Sequence, residues 1–351
     1  MEEVVSAMFK ISLCDIEIIL HDYGVSSKAV SFVELQRYYY EKNEPGSKEV
    51  RLIVKTELND GTSVVIRFKN ERDVSLDLIE RQSQFAVLLK ENGIATPALY
   101  KTECGFAKWY SLNGYDVIVT VEEFVNGELR LVDADIAEKM GKLLAKTHNI
   151  AEANHFHVEN KVLFDPFSDN DLFAVSDFLS HAKKFVAIDE SLYQSIVEKY
   201  DEYMKILSPL HSESRYAVQG DFSECNLYQR EPSLGVFDFN RCGDNNLYCD
   251  AVMQSVFVAR LMDYPESYAD KNERKILSAF LKGYDSERPF SDVNKHMFPY
   301  LYAIINAFWS SDIKWNENSL INELEKGNTK AVCKWLKEIL KRLFHLEPMP
   351  L

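Results

Sequence analysis

The 351-residue sequence predicts an α+β fold, with a small strand-rich N-terminal part followed by a larger, mainly helical C-terminal part. Three observations carry that expectation. Up to about residue 125, runs rich in Val, Ile, Leu and Tyr alternate with turn signals and a single long helical pattern. Beyond Asp133, apolar residues recur at helical spacing in segment after segment. Two short apolar runs, Tyr216-Ala217-Val218 and Leu234-Gly235-Val236-Phe237, interrupt that helical texture, and each leads into an aspartate, Asp221 and Asp238.

Taken in order, residues 11–21 carry helical spacing and stop at Gly24. Residues 30–40 and 49–58 read as strands. Asn59-Asp60-Gly61-Thr62 is a hairpin signal, because Asp-Gly tolerates the positive backbone angles of a tight turn, and residues 63–68 are the returning strand. Residues 75–90 are helical and end at Gly93, a C-terminal stop. Thr96-Pro97 opens an extended piece, residues 115–124 form a further strand, and Asn126-Gly127 breaks it. The boundary is placed there, giving parts 1–126 and 127–351. Helices are then expected over 134–149, 193–207, 250–261, 272–284, 294–309 and 330–343, with Asp250 capping the start of its helix.

The 46% hydrophobic and 27% charged content is that of an ordinary folded protein, and no apolar run approaches the roughly 20 residues of a membrane-spanning helix. The start, MEEVVSAMFK, is acidic and lacks the basic beginning and apolar core of a secretion signal, so the expected location is the cytoplasm. A net charge of −15 argues against a general nucleic-acid binder, which needs a basic face. It fits a cationic substrate, or simply solubility. The six cysteines show no CxxC pair and read as reduced thiols, Cys225 included. His148, His155 and His157 have no accompanying Cys or carboxylate motif and read as packing and surface residues rather than metal ligands. The aromatic residues of 298–315 read mainly as core, and Tyr38-Tyr39-Tyr40 as half core, half surface.

The chemistry concentrates in residues 216–244. Asp221 and Asp238 could each be a strand-end cap. Asn226 lies between them, five residues past Asp221, and the three together suit phosphoryl chemistry. Asp221 accepts a hydroxyl proton, while Asn226 and Asp238 supply hard oxygen ligands for Mg2+ beside a phosphate chain. Asp244 reads equally well as a turn residue. Neither GxxxxGK[ST] nor GxGxxG occurs, and Gly141-Lys142 lies inside a helical pattern with no strand before it.

These motifs resemble those of the aminoglycoside phosphotransferase and choline kinase group of small-molecule kinases. Gln219-Gly220-Asp221 through Asn226 resembles the group's HGDxxxxN, Val236-Phe237-Asp238-Phe239 its hydrophobic-IDF/W segment, and Gly243-Asp244 with Asp250 its GD…D. Residues 141–148 resemble its LLAxLH helix, Glu122 through Gly127 its connector, and Asn92 through Pro97 its GixxP. The matches span roughly residues 50 to 255 in the right order. The resemblance implies a bilobal protein-kinase-like fold and transfer of the terminal phosphate of ATP or GTP to a small-molecule hydroxyl, with an aminoglycoside or other amine-bearing acceptor among the candidates. It gives Asp221 the role of catalytic base, Asn226 and Asp238 the Mg2+ ions, and Arg67 the nucleotide phosphates. Glu123, Phe124 and Val125 would meet the nucleotide base through backbone groups. An acidic rim from Asp263, Glu266, Asp270, Asp312 and Glu317 could face the acceptor.

This chain departs from the group's pattern at three positions. Gln219 stands where the group has histidine, and Gln82 where it has the glutamate that pairs with the Arg67 position, with Glu80 expected to face elsewhere. Asn240 replaces a frequent acidic residue. Arg67 is therefore expected to lack its ion-pair partner, which motivates an alternative reading as a catalytically weak nucleotide-binding pseudokinase. A protein kinase is disfavoured by the absence of HRD and DFG motifs.

Overall fold

The computed structural model describes residues 9–38, 49–127, 129, 132–163, 165–168, 173–260 and 269–351, with 269–272 by backbone only. Two compact units are present, Met1–Glu128 with Tyr228–Asn240, and Leu129–Leu227 with Arg241–Leu351.

The first unit is built on a five-stranded antiparallel sheet ordered β1-β2-β3-β5-β4. Its strands are β1 (Ala29–Tyr38), β2 (Val50–Leu58), β3 (Ser63–Asn70), β4 (Lys108–Leu112) and β5 (Tyr115–Glu123). The β2–β3 turn forms as its Asp-Gly pair requires, with Gly61 at φ +84 and Asp60 Oδ1 accepting from the Thr62 amide at 2.9 Å. Strand periodicity then sorts the side chains. Leu52, Val54, Ile66, Phe68, Val117, Val119 and Val121 point to one face and pack with Ile16, Ile19 and Leu20 of α1 (Leu13–Asp22). Alternate residues reach the opposite face, where Ile79 of α2 (Leu76–Glu91) packs on Ile118. Arg51, Arg67, Lys69 and Glu122 share that second face by register.

Residues 228–240 pack with this unit. The hairpin of β7 (Leu227–Arg230) and β8 (Ser233–Val236) is tied down by Val236 N–H to the Ala95 carbonyl at 2.9 Å and Gln229 N–H to the Gly127 carbonyl at 2.8 Å. The Phe239 ring meets Phe85 of α2 edge-on at 6.0 Å.

The second unit is mainly helical. Its helices are α3 (Ala134–Ala153), α4 (Val175–Ser180), α5 (Ala182–Ser212), α6 (Leu247–Arg260), α7 (Ala269–Glu287), α8 (Asp292–Ala307), α9 (Leu320–Glu325) and α10 (Thr329–Phe344). A two-stranded ladder joins β6 (Tyr216–Val218) to β9 (Gly243–Asn245). Helix α6 is buried along its whole length except Arg260, as befits a helix apolar on most sides. Helix α5 begins eleven residues before the start its periodicity suggests. Asp189 inside it leaves helical geometry, and its Oδ1 accepts from the Leu192 amide at 3.0 Å, acting as an internal cap that restarts the helix. Trp315, expected in the core, is 48% exposed. No helix of the described residues is long and apolar enough to cross a membrane.

The mid-helix Gly141 has a packing explanation. A Cβ at Gly141 of α3 would lie 2.0 Å from the Phe280 carbonyl oxygen of α7, and one at Gly283 of α7 would lie 2.0 Å from the Glu138 carbonyl oxygen of α3. The two backbones touch at a pair of glycines, leaving no room for a methyl group. Gly141→Ala is expected to destabilise the protein by about 1–3 kcal/mol, the usual cost of overpacking. Urea unfolding checks this, and a midpoint equal to that of wild type would contradict the packing account.

Candidate active site

In the first unit, β3 presents Arg67 and Lys69 two residues apart and so on one face. Arg67 pairs in register with Thr120, which places Glu122 as its diagonal neighbour on the same face of β5. Arg67 Nε and Nη2 donate to Glu122 Oε1 at 3.0 and 2.8 Å, and Nη1 donates to Asp238 Oδ2 at 3.2 Å. The expectation of a partnerless Arg67 is thus corrected: the strand residue Glu122 takes the place of a helix carboxylate. Gln82 points instead to the Asn240 carbonyl, to which its Nε2 donates at 3.0 Å. Glu80 faces elsewhere, its Oε2 accepting from the amides of Phe106 and Ala107.

Asp238 adopts φ +54, a left-handed conformation that aspartate tolerates better than most residues. Burial alone would raise its carboxyl. The Arg67, Lys69 and Arg51 cations outweigh that effect and hold the group below the usual carboxylate range. Lys69 shows the converse, its ammonium pushed down to about 8, first by burial and then by Arg67. Its Nζ donates to Asn240 Oδ1.

At the end of β5, the amides of Glu123 and Phe124 are committed within the unit, to the Ala98 carbonyl at 2.8 Å and the Ser63 carbonyl at 3.1 Å. Of the three connector amides, Val125 alone has no partner among the described bonds. The Glu123 side chain accepts from the Ala98 amide, and the Phe124 ring lies under Lys55 Nζ at 4.4 Å.

In the second unit, the Asp221 loop is held from several directions. Gly220 sits at φ +82, where a Cβ would lie 2.1 Å from the Arg241 carbonyl oxygen, so the loop needs glycine before the aspartate. Gln219 Oε1 accepts from the Asp221 amide at 2.8 Å, so the glutamine supports the loop in the histidine's stead. Asn226 Nδ2 donates to the Asp221 carbonyl at 2.8 Å and to Ser223 Oγ at 3.3 Å. That commitment leaves the amide oxygen as the atom Asn226 can offer to a cation. Ser223 Oγ donates to Asp221 Oδ1 at 3.2 Å, and Cys225 is exposed, its Sγ 3.1 Å from Ser223 Oγ.

Behind this loop runs a buried polar chain. The Phe222 amide donates to Gln254 Oε1 at 3.0 Å, and Gln254 Nε2 to Asp250 Oδ1 at 3.4 Å. Asp250 Oδ2 lies 3.1 Å from His148 Nε2, and His148 Nδ1 lies 2.8 Å from the Tyr284 hydroxyl. His148, Asp250 and Gln254 are fully buried. The expectation that Asp250 caps α6 is therefore corrected. Asn246 does so, its Oδ1 accepting from the Cys249 amide at 3.0 Å, while Asp250 turns inward. Asp244 organises a neighbouring loop by accepting from the amides of Val158 and Glu159 at 2.8 and 2.9 Å.

The Asp238 carboxylate of the first unit and the Asn226 amide oxygen of the second are each hard oxygens, of the kind Mg2+ takes in preference to a softer metal. Asp312 is engaged by Arg342 at 2.6 Å, and Glu317 accepts from Lys326 through its backbone carbonyl at 2.8 Å. Asp263, Glu266, the Asp270 side chain, Tyr39 and Tyr40 lie outside the described residues. Lys69 and Gln254 escaped sequence reasoning, as did the pairing of Glu122 with Arg67. Period-two spacing from Arg67 was the available signal for Lys69.

A scan against protein-family models found no match, and neither did a sequence comparison with curated proteins. Solved structures do match over nearly the whole chain. An amicoumacin kinase in complex with AMP-PNP, Ca2+ and Ami is 14% identical, with 95% of both chains covered and a TM-score of 0.56. A microcompartment-associated aminopropanol kinase is 15% identical, with 95% of both chains covered and a TM-score of 0.55. A spectinomycin phosphotransferase in complex with ADP and spectinomycin is 13% identical, covering 96% of this chain and 98% of its own, with a TM-score of 0.51. The chain has the protein-kinase-like fold of these small-molecule kinases.

Proposed function

We propose that the protein is a small-molecule kinase that moves the terminal phosphate of ATP or GTP to a hydroxyl group of a small acceptor in the cytoplasm. The observation that carries this reading is the Asp221 loop. Its backbone is held by Gln219, Gly220 and Asn226, and the Gln219 and Asn226 bonds go to the backbone of residue 221 rather than to its carboxylate. Asp221 accepts the proton of the attacking hydroxyl and orients the oxygen toward the phosphate. Asn226 Oδ1 and the Asp238 carboxylate are the groups that would hold Mg2+, and the ion would offset negative charge on the phosphate oxygens. Arg67, steadied by Glu122, contacts the nucleotide phosphates, and the Val125 amide meets the edge of the base. The structural neighbours, which include kinases solved with AMP-PNP or ADP, support the same chemistry.

The acceptor class is an amine-bearing alcohol, an aminoglycoside among them, in keeping with the net charge of −15. The pseudokinase alternative loses its two motives, because Arg67 has a carboxylate partner and Gln219 supports the loop. A screen of amino-alcohol and aminoglycoside acceptors, with ADP and GDP release as readouts, tests the proposal. Turnover is expected with Mg2+ and is expected to vanish in EDTA. Release that needs no acceptor and no metal, or no release with any acceptor, would reject the kinase reading.

A further inference from the structure

We propose that Arg51, Lys69 and Asn240 form an anion subsite that holds a phosphate group directly, without a metal ion. The inference rests on the nucleotide reading above for its natural ligand, but its geometry is separate from the Arg67–Glu122 pair. Arg51 lies directly opposite Lys69 in the β2–β3 register, on the same face of the sheet. Lys69 is only 6% exposed, and its donation to Asn240 Oδ1 fixes that amide's orientation. The Asn240 Nδ2 donor that results is buried and has no hydrogen-bond partner among the described residues. Arg51 Nε is in the same condition, while its guanidinium stacks on the Tyr38 ring at 4.6 Å.

Two buried donors without acceptors are rare in a folded protein and call for a missing acceptor. The charges point the same way. Arg51, Arg67 and Lys69 share a face with Glu122, and Glu122 and Asp238 both pair with Arg67. A phosphate group brings several acceptor oxygens and no donors, and so could satisfy Arg51, Lys69 and Asn240 together. The subsite would then grip the polyphosphate chain by a second set of side chains, beside the metal.

The test is calorimetric titration of the full-length protein in EDTA with pyrophosphate, AMP-PNP and AMP, on wild type, Arg51→Gln and Lys69→Met. Wild type is expected to bind pyrophosphate and AMP-PNP without metal and AMP far more weakly. Each substitution is expected to weaken pyrophosphate binding by ~10-fold or more, as for a lost charge-assisted bond. Arg51 is partly exposed, so its variant guards against failure of Lys69→Met to fold. Absence of metal-free binding in wild type, equal binding by both variants, or AMP binding as tight as AMP-PNP would each overturn the subsite. An inactive protein that still binds pyrophosphate through these residues would sink the kinase reading alone. An active kinase indifferent to both substitutions would sink this inference alone.

Discussion

Asp221→Asn is expected to lower turnover by ~10²–10⁴-fold, the range for loss of a general base, with nucleotide binding and thermal stability near those of wild type. The substitution keeps the shape of the side chain and the Oδ1 acceptor used by Ser223. The bonds that hold the loop, from Gln219 Oε1 and Asn226 Nδ2, go to the backbone of residue 221 and survive. The negative charge and the ability to take a proton are removed together. Steady-state ADP release, read beside a melting curve, checks this. A variant that folds and turns over like wild type would show that Asp221 is not the base.

Asp250→Ala is expected to destabilise the protein by roughly 2–6 kcal/mol, because it orphans two buried groups at about 1–3 kcal/mol each. The groups are His148 Nε2 and Gln254 Nε2, both in fully buried side chains. The damage should also reach the Asp221 loop, since Gln254 Oε1 accepts from the Phe222 amide next to Asp221. Denaturant unfolding gives the stability loss. A change of only a few tenths of a kcal/mol would mean that the polar chain behind the loop contributes little.

Much of this architecture was legible in the chain because it is written in local signals. Asp60-Gly61 specified its hairpin, Gly93 ended α2, and runs rich in Val, Ile, Leu and Tyr marked the strands of the first sheet. The Asp221–Asn226 spacing marked a loop that the structure holds as a unit. What escaped depends on pairings distant in sequence. Glu122 reaches Arg67 only because β3 and β5 are neighbours in one register, a fact no single strand encodes. His148 and Asp250 are 102 residues apart, and each looked like the end of its own helix. The short strands β4, β7 and β9 are too brief to show alternation. The restart of α5 at Asp189 hid the helix before it, because the pattern loses phase there.

The segment 228–240 also sets an order of events during synthesis. Residues 129–227 intervene between the body of the first unit and the piece that completes it. As the chain leaves the ribosome, the sheet can form with Arg67 already held by Glu122, but Asp238 and Asn240 do not yet exist. Closing so long a loop adds little to the equilibrium cost, since loop entropy grows only logarithmically, yet contacts of such separation are slow to find. Arg51, Arg67 and Lys69 are therefore made together with Glu122, and Asp238 and Asn240 follow late. A chain cut short before residue 238 carries Arg67 with Glu122 but lacks its second carboxylate partner, Asp238.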